Sequence, residues 1–337
     1  MIEETIIDDT HKSFTEIGQY RQVVREVKSH HDYIGRDDNN DAIYGHTTPY
    51  PTLRFRGTVK LHGTNSAVVK YPDGRYEFQS REHVLSLEED NSGFMRNMVT
   101  KDYQSLFNGI EFNDYCAIYG EWCGMGIMKG VAINQLSKMF VIFAVKIDDV
   151  YHDITEFNLL NNEQQIYCIM QFPHYTMNID FNQPELYQNQ LVALTEEVER
   201  ECPVGKFLGV DGTGEGIVWE HKSSEHRYIF KTKGSKHSVS HVTKLASVDV
   251  EAIANTNSFI DYAVTENRLM QGVEKMKEMG LAIDPKTTGD YLRWVYNDVI
   301  KEESDTMEAN GINPKKIGSA ISAKARMFWL NYLNSNF

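Results

Sequence analysis

The hydrophobic period changes once along this chain, and that change limits the fold more than any other feature. From Leu53 to about Ser240 the apolar residues come in short runs with a period near two, broken by Gly, Pro and Asp turns. "LRFRGTVKL" sets Leu53, Phe55, Val59 and Leu61 on one strand face, and Arg54, Arg56, Thr58 and Lys60 on the other. "NSAVVKY" and "YEFQSRE" flank Pro72-Asp73-Gly74 and read as a hairpin. "YCAIYGEWCG", "KMFVIFAVKI", "GEGIVWEH" and "RYIFKTKG" read as further strands, and "QNQLVALTEEVEREC" as an amphipathic helix. After about Leu245 the period becomes helical. "SFIDYAVTENRLMQGVEKMKEMG" reads as one helix stopped at Gly280. "DYLRWVYNDVIKEE" reads as a second, behind Asp284-Pro285, and "NPKKIGSAISAKARMFWLNYLN" as a third, behind Asn313-Pro314. The expected class is α+β: an antiparallel-sheet domain over 1–244 with an N-terminal extension (1–52), then an all-helical C-terminal domain over 245–337.

A length of 337 residues suits two domains, and 41% hydrophobic content suits a real core. No apolar run is long enough to span a bilayer, and "MIEETIIDDT" has no basic region leading into an apolar one. The four cysteines show no metal spacing. A reduced, cytoplasmic chain without membrane contact is expected, acting as a monomer. The net charge of −14 argues against coating nucleic acid by bulk electrostatics, though a local basic groove on an acidic body fits. Residues 1–50 hold ten acids against five bases, so much of the excess lies before the strands. There a short helix about Ile17–Val27 is expected, then a long loop to Pro51, with His30 and His31 exposed in it rather than binding metal.

Lys60 faces away from the core and precedes a glycine turn, His62-Gly63-Thr64-Asn65. A neutral lysine amine is a good nucleophile, but its ordinary pKa of about 10.4 keeps it protonated. Nearby cations and partial burial would depress that value, and Gly63 would let backbone approach a ligand. A strand lysine before a turn also fits an ordinary surface position. Lys231 and Lys233 share a face, as on a solvated edge or where a polyphosphate must be neutralised. Glu121 and Glu215 lie beside glycines, as solvated charges or as oxygen donors to Mg²⁺ or ribose. Arg81 reads as a surface arginine or a phosphate contact, and Phe143 as core or as a base-stacking ring.

Taken in order, these pieces resemble the covalent nucleotidyltransferase superfamily of ligases and capping enzymes. Lys60-Leu61-His62-Gly63-Thr64-Asn65 is similar to the first motif of the RNA ligase 2 family, which includes phage nick-sealing and kinetoplastid RNA-editing ligases. "YGEWCGMGI", "FVIFAV", "EGIVWE" and "FKTKGSK" resemble the later motifs, so the likeness spans about 53–240. It implies an ATP-grasp-like ligase fold that uses ATP with Mg²⁺, for which Mn²⁺ can substitute. Lys60 would attack the α-phosphate and carry AMP, which passes to an RNA 5′-phosphate before a 3′-hydroxyl end attacks. Glu215, Lys231 and Lys233 would share catalysis, with Glu215 at the metal. Leu61, His62, Asn65, Arg81, Glu121, Phe143 and both lysines would hold the nucleotide, with Glu121 on ribose and Phe143 on adenine. RNA with a 5′-phosphate and a 3′-hydroxyl, as a nicked duplex or broken stem-loop, would be the partner. Ala144 stands where many relatives carry an acid. The tail would recognise RNA ends, and Arg268, Lys275, Lys277, Arg293, Lys315, Lys316, Lys324 and Arg326 read as phosphate contacts or as solvated charges. A DNA ligase or capping enzyme would show an OB-fold instead of helices. A non-catalytic RNA-binding relative would lack the charged positions that are present.

Overall fold

A computed structural model describes residues 11–46, 49–238 and 253–336. Helix α1 (Tyr20–Asp32) buries Tyr20, Val23, Val24 and Val27 along one stripe. It begins three residues later than its apolar pattern suggests, where the Gln22 side chain accepts the Gln19 N–H at 2.7 Å. It also runs through His30 and His31, which are therefore helical. His30 stacks on His226 and contacts the Tyr228 hydroxyl. The expected loop after it contains a small hairpin, β1 (Tyr33–Arg36) with β2 (Ala42–Tyr44).

Two sheets form the main body. Strands β3 (Thr52–Lys60), β4 (Thr64–Lys70) and β5 (Tyr76–Ser80) come first, followed after the short helix α2 (Phe94–Met98) by β6 (Cys116–Cys123), β7 (Met139–Ile147), β8 (Val150–His152), β9 (Ile166–Cys168) and β10 (His174–Asp180). Helices α3 (Gln188–Arg200) and α4 (Pro203–Phe207) then lead to β11 (Gly216–Lys222) and β12 (Arg227–Lys233). One sheet has the order β10-β3-β11-β12, and the other β5-β4-β6-β7-β8. All pairs are antiparallel except β9, which joins β7 in parallel. The period-two reading of β3 holds: Phe55, Gly57 and Val59 are buried while Arg56, Thr58 and Lys60 are partly exposed. Gly57 is required there because a Cβ would meet the Trp219 ring at 2.7 Å. All four cysteines are buried, and burial raises their thiol pKa values, as expected of unreactive cysteines.

The tail is helical but divides differently. Its first expected helix is two, α5 (Thr256–Ala263) and α6 (Glu266–Glu278), because the Thr265 hydroxyl caps a new N-terminus by accepting the Arg268 N–H. Gly280 ends α6 with φ of 69°. Asp284 caps the turn that opens α7 (Thr288–Glu302), and a short α8 (Ser304–Ala309) precedes α9 (Pro314–Asn336). The tail has its own apolar core around Phe259, Val273, Tyr291, Val295, Ile321 and Trp329. The expected boundary at 244–245 falls outside the described residues.

Buried and surface ion pairs link the two parts of the chain. Buried Arg21 of α1 donates to Asp305 at 2.7 Å and to Glu303 at 3.1 Å. Arg268 also reaches Glu303, at 3.3 Å, and is fully buried, which removes it from the residues that could touch RNA phosphate. Nearer the surface Lys275 pairs with Glu82, Lys277 with Glu274, Arg293 with Asp290 and Lys324 with Asp261. Lys315, Lys316 and Arg326 are exposed on α9.

Candidate active site

A cleft of about 1140 Å³ opens between the two sheets, with tail helices over it. Every residue that the resemblance assigns to the nucleotide or to catalysis lines it: Lys60, Leu61, His62, Asn65, Arg81, Glu121, Phe143, Glu215, Lys231 and Lys233. They come from six separate stretches of chain, and the topology gathers them.

Lys60 is the last residue of β3. The chain leaves the first sheet there and enters the second at Thr64, so the glycine turn is the crossover between sheets. Gly63 serves this crossing. A Cβ at that position would lie 2.4 Å from the Trp122 carbonyl, and the Gly63 N–H donates to Glu121 at 3.0 Å. The glycine thus answers a close approach of β6. Asn65 then pairs with Glu121 across β4 and β6.

Glu215 is the electrostatic centre. Its carboxylate is 2% exposed and accepts from Lys60 Nζ at 2.8 Å and Lys233 Nζ at 2.9 Å, with His62 Nδ1 at 3.3 Å. Burial alone would raise its pKa, but Lys233 and Lys60 hold it well below the ordinary range. Burial lowers Lys60, yet Glu215 and Glu121 outweigh that and hold its ammonium above the ordinary value. This corrects the expectation that neighbouring cations make the Lys60 amine neutral here. Lys233 is the depressed amine, lowered by burial and then by Lys60 and Lys231 against the pull of Glu215.

Glu121 is the other unusual group. Burial, then Glu215 and Glu278, push its carboxyl up to about 8 against Lys60 and the Gly63 N–H. The folded protein therefore holds a proton that the unfolded chain has lost above about pH 4.5. Stability from this group is present below that value and is lost as pH rises towards about 8. Glu121→Gln should flatten this slope in thermal unfolding followed from pH 5 to 8.5. An unchanged slope would show that Glu121 titrates normally.

Phe143 meets Phe14 edge-on, with ring centroids 5.0 Å apart. Phe14, Glu16, Ile17 and Gly18 all line the cleft, although no local sequence pattern marks them. The segment is tied across both sheets: the Tyr119 hydroxyl donates to the Lys12 carbonyl, Thr15 N–H to the Tyr151 hydroxyl, and Lys231 N–H to the Gly18 carbonyl. The loop after β12 adds Lys236 and His237, held by buried Glu199, which accepts the Lys236 N–H at 2.7 Å. Among the described residues, no group of three or more His, Cys, Asp or Glu could hold a metal ion. None of the described helices is long and apolar enough to cross a membrane.

No curated protein matches this sequence. The chain resembles solved structures of the Naegleria gruberi RNA ligase. The form with pyrophosphate is 17% identical with a TM-score of 0.43, covering 67% of this chain and 57% of that one. A substituted form with ATP and manganese is 16% identical with a TM-score of 0.41, covering 65% and 56%. This chain thus spans a little over half the length of those structures. Residues 54–233, more than half of the 337, match the family model described as RNA ligase. The chain belongs to the RNA ligase family.

Proposed function

We propose that this chain joins RNA ends using ATP, through an AMP carried on Lys60. The observation that carries the reading is the Lys60–Glu215–Lys233 cluster at the head of the cleft. ATP is a substrate here. The Lys60 nitrogen forms a bond to the α-phosphorus as the bond to the β-phosphate oxygen breaks and pyrophosphate leaves. AMP then passes to an RNA 5′-phosphate, and a 3′-hydroxyl attacks that activated end and releases AMP.

Lys60 must shed a proton before it attacks, and the Glu215 carboxylate within hydrogen-bond distance would orient the amine. Lys231 and Lys233 supply positive charge where the phosphates carry negative charge. Phe143 lines the cleft and suits stacking on adenine, with Val218 and Ile229 also on the cleft wall. Glu121 and Asn65 suit ribose hydroxyls, His62 and Leu61 the nucleotide beside the turn, and Arg81 a phosphate. Mg²⁺ fits this donor set, since it is held by one or two carboxylates together with substrate phosphates and Glu215 and Glu121 lie in the cleft. When bound, it would neutralise phosphate charge and favour the neutral amine. We read residues 11–238 as the adenylylating domain and the helices from 253 onward as the part that meets RNA ends. Exposed Lys315, Lys316 and Arg326 are the candidate phosphate contacts, on an RNA with 5′-phosphate and 3′-hydroxyl ends. The same reading makes the protein a cytoplasmic monomer.

The test is incubation with ATP and Mg²⁺ followed by intact mass. An AMP adduct supports the reading, and its absence rejects it. Lys233→Ala should slow adduct formation by about 10²-fold or more, and Lys231→Ala should weaken use of ATP. Wild-type rates in both variants would make these lysines surface charges.

A further inference from the structure

Lys231 is the one cleft lysine of the sequence motifs whose partner comes from the tail. Its Nζ lies 3.0 Å from Glu302 Oε1, at the end of α7. Gln19 Nε2 donates to the other oxygen of Glu302 at 3.2 Å. The carboxylate is 18% exposed, and although burial works against ionisation, Lys231 and Gln19 keep its pKa down at about 2. It is therefore an anion at any working pH, and it lines the cleft. The other tail cations near the cleft are already matched with carboxylates: Lys275 with Glu82 and Glu278, Lys277 with Glu274, and Lys301 with Glu16. Among the described residues, these tail cations at the cleft are thus not free to greet phosphate.

We propose that Glu302 occupies the place of a nucleotide phosphate on Lys231, so that docking of the helical tail and binding of ATP oppose each other. The inference rests on the ligase reading, which assigns Lys231 to phosphate. A carboxylate and a triphosphate cannot both sit on one ammonium without like charges in contact. Nucleotide and Glu302 therefore compete for Lys231, and linkage makes the effect reciprocal: whatever affinity the docked tail removes from ATP, bound ATP removes from docking. The interface suits such an exchange, because the tail has its own core and is held to the sheets by ion pairs. Uncovering the cleft after nucleotide binds would also open the way for an RNA end.

The test uses the full chain and an ATP analogue with a methylene bridge between the α- and β-phosphates, which binds but cannot give up AMP. Glu302→Gln should bind it with Mg²⁺ about tenfold more tightly than wild type, and Glu302→Asp, which keeps the charge, should stay near wild type. In the wild type, saturating analogue should speed hydrogen exchange in α7 and in α1; in Glu302→Gln this increment should shrink. Equal or weaker binding by a folded Glu302→Gln, or unchanged exchange in α7, overturns the antagonism alone. A wild type that neither binds the analogue nor forms the AMP adduct overturns the ligase reading and this inference with it.

Discussion

Lys60→Ala is expected to abolish the AMP adduct completely while leaving the fold intact. Neither of the other two motif lysines is free to replace it. Lys233 bonds the far oxygen of Glu215, and Lys231 is engaged by Glu302. The fold should survive because Glu215 would not be left as a lone buried charge: Lys233 at 2.9 Å and His62 at 3.3 Å remain. Intact mass after incubation with ATP and Mg²⁺ reads the loss, and thermal unfolding reads the fold. An adduct of undiminished yield on Lys60→Ala would move the nucleophile elsewhere. A variant that fails to fold would show Lys60 to be a structural counter-ion of Glu215.

The second large effect is expected at Arg21, far from the chemistry. Its guanidinium is 2% exposed and holds Asp305 and Glu303 together. Removing one member of a buried ionic cluster leaves its partners uncompensated and costs about 3–5 kcal/mol. Arg25 on Asp305 and Arg268 on Glu303 offset part of that, so about 3 kcal/mol is expected for Arg21→Ala. The loss should fall on tail docking rather than on the sheets. Hydrogen exchange should quicken in α1, α7 and α8 while β3, β6 and β11 keep their protection. A change below about 0.5 kcal/mol, or uniform loss across the chain, would show that this cluster does not hold the tail.

The strands and the site were legible because each had a local signal. Alternation alone put Lys60 on the wet face of β3 and Lys231 and Lys233 on that of β12, where Tyr228, Phe230 and Thr232 are buried. The split at Thr265 was missed because apolar spacing continues through it and only the cap interrupts the helix. The hairpin at 33–44 was missed because its side chains are mostly exposed and carry no alternation. Arg268 resembled any other charged helix residue. Its burial depends on Glu303, thirty-five positions away, and no local pattern encodes that. The rise in the Lys60 pKa was invisible for the same reason, since both carboxylates come from other strands or their ends.

The passage of the chain from one sheet to the other at Lys60 has a mechanical consequence. The amine belongs to the end of β3, whereas Glu121, Asn65 and Phe143 ride on the second sheet. The distance between the proposed attacking atom and the groups that would hold the sugar and base is therefore set by how the sheets pack, through Trp122 and Gly63. A core substitution that moves one sheet by a fraction of an ångström would spoil that alignment before it unfolded anything. On the ligase reading, well-packed apolar residues with no ligand contact would act as part of the gauge that sets reactivity.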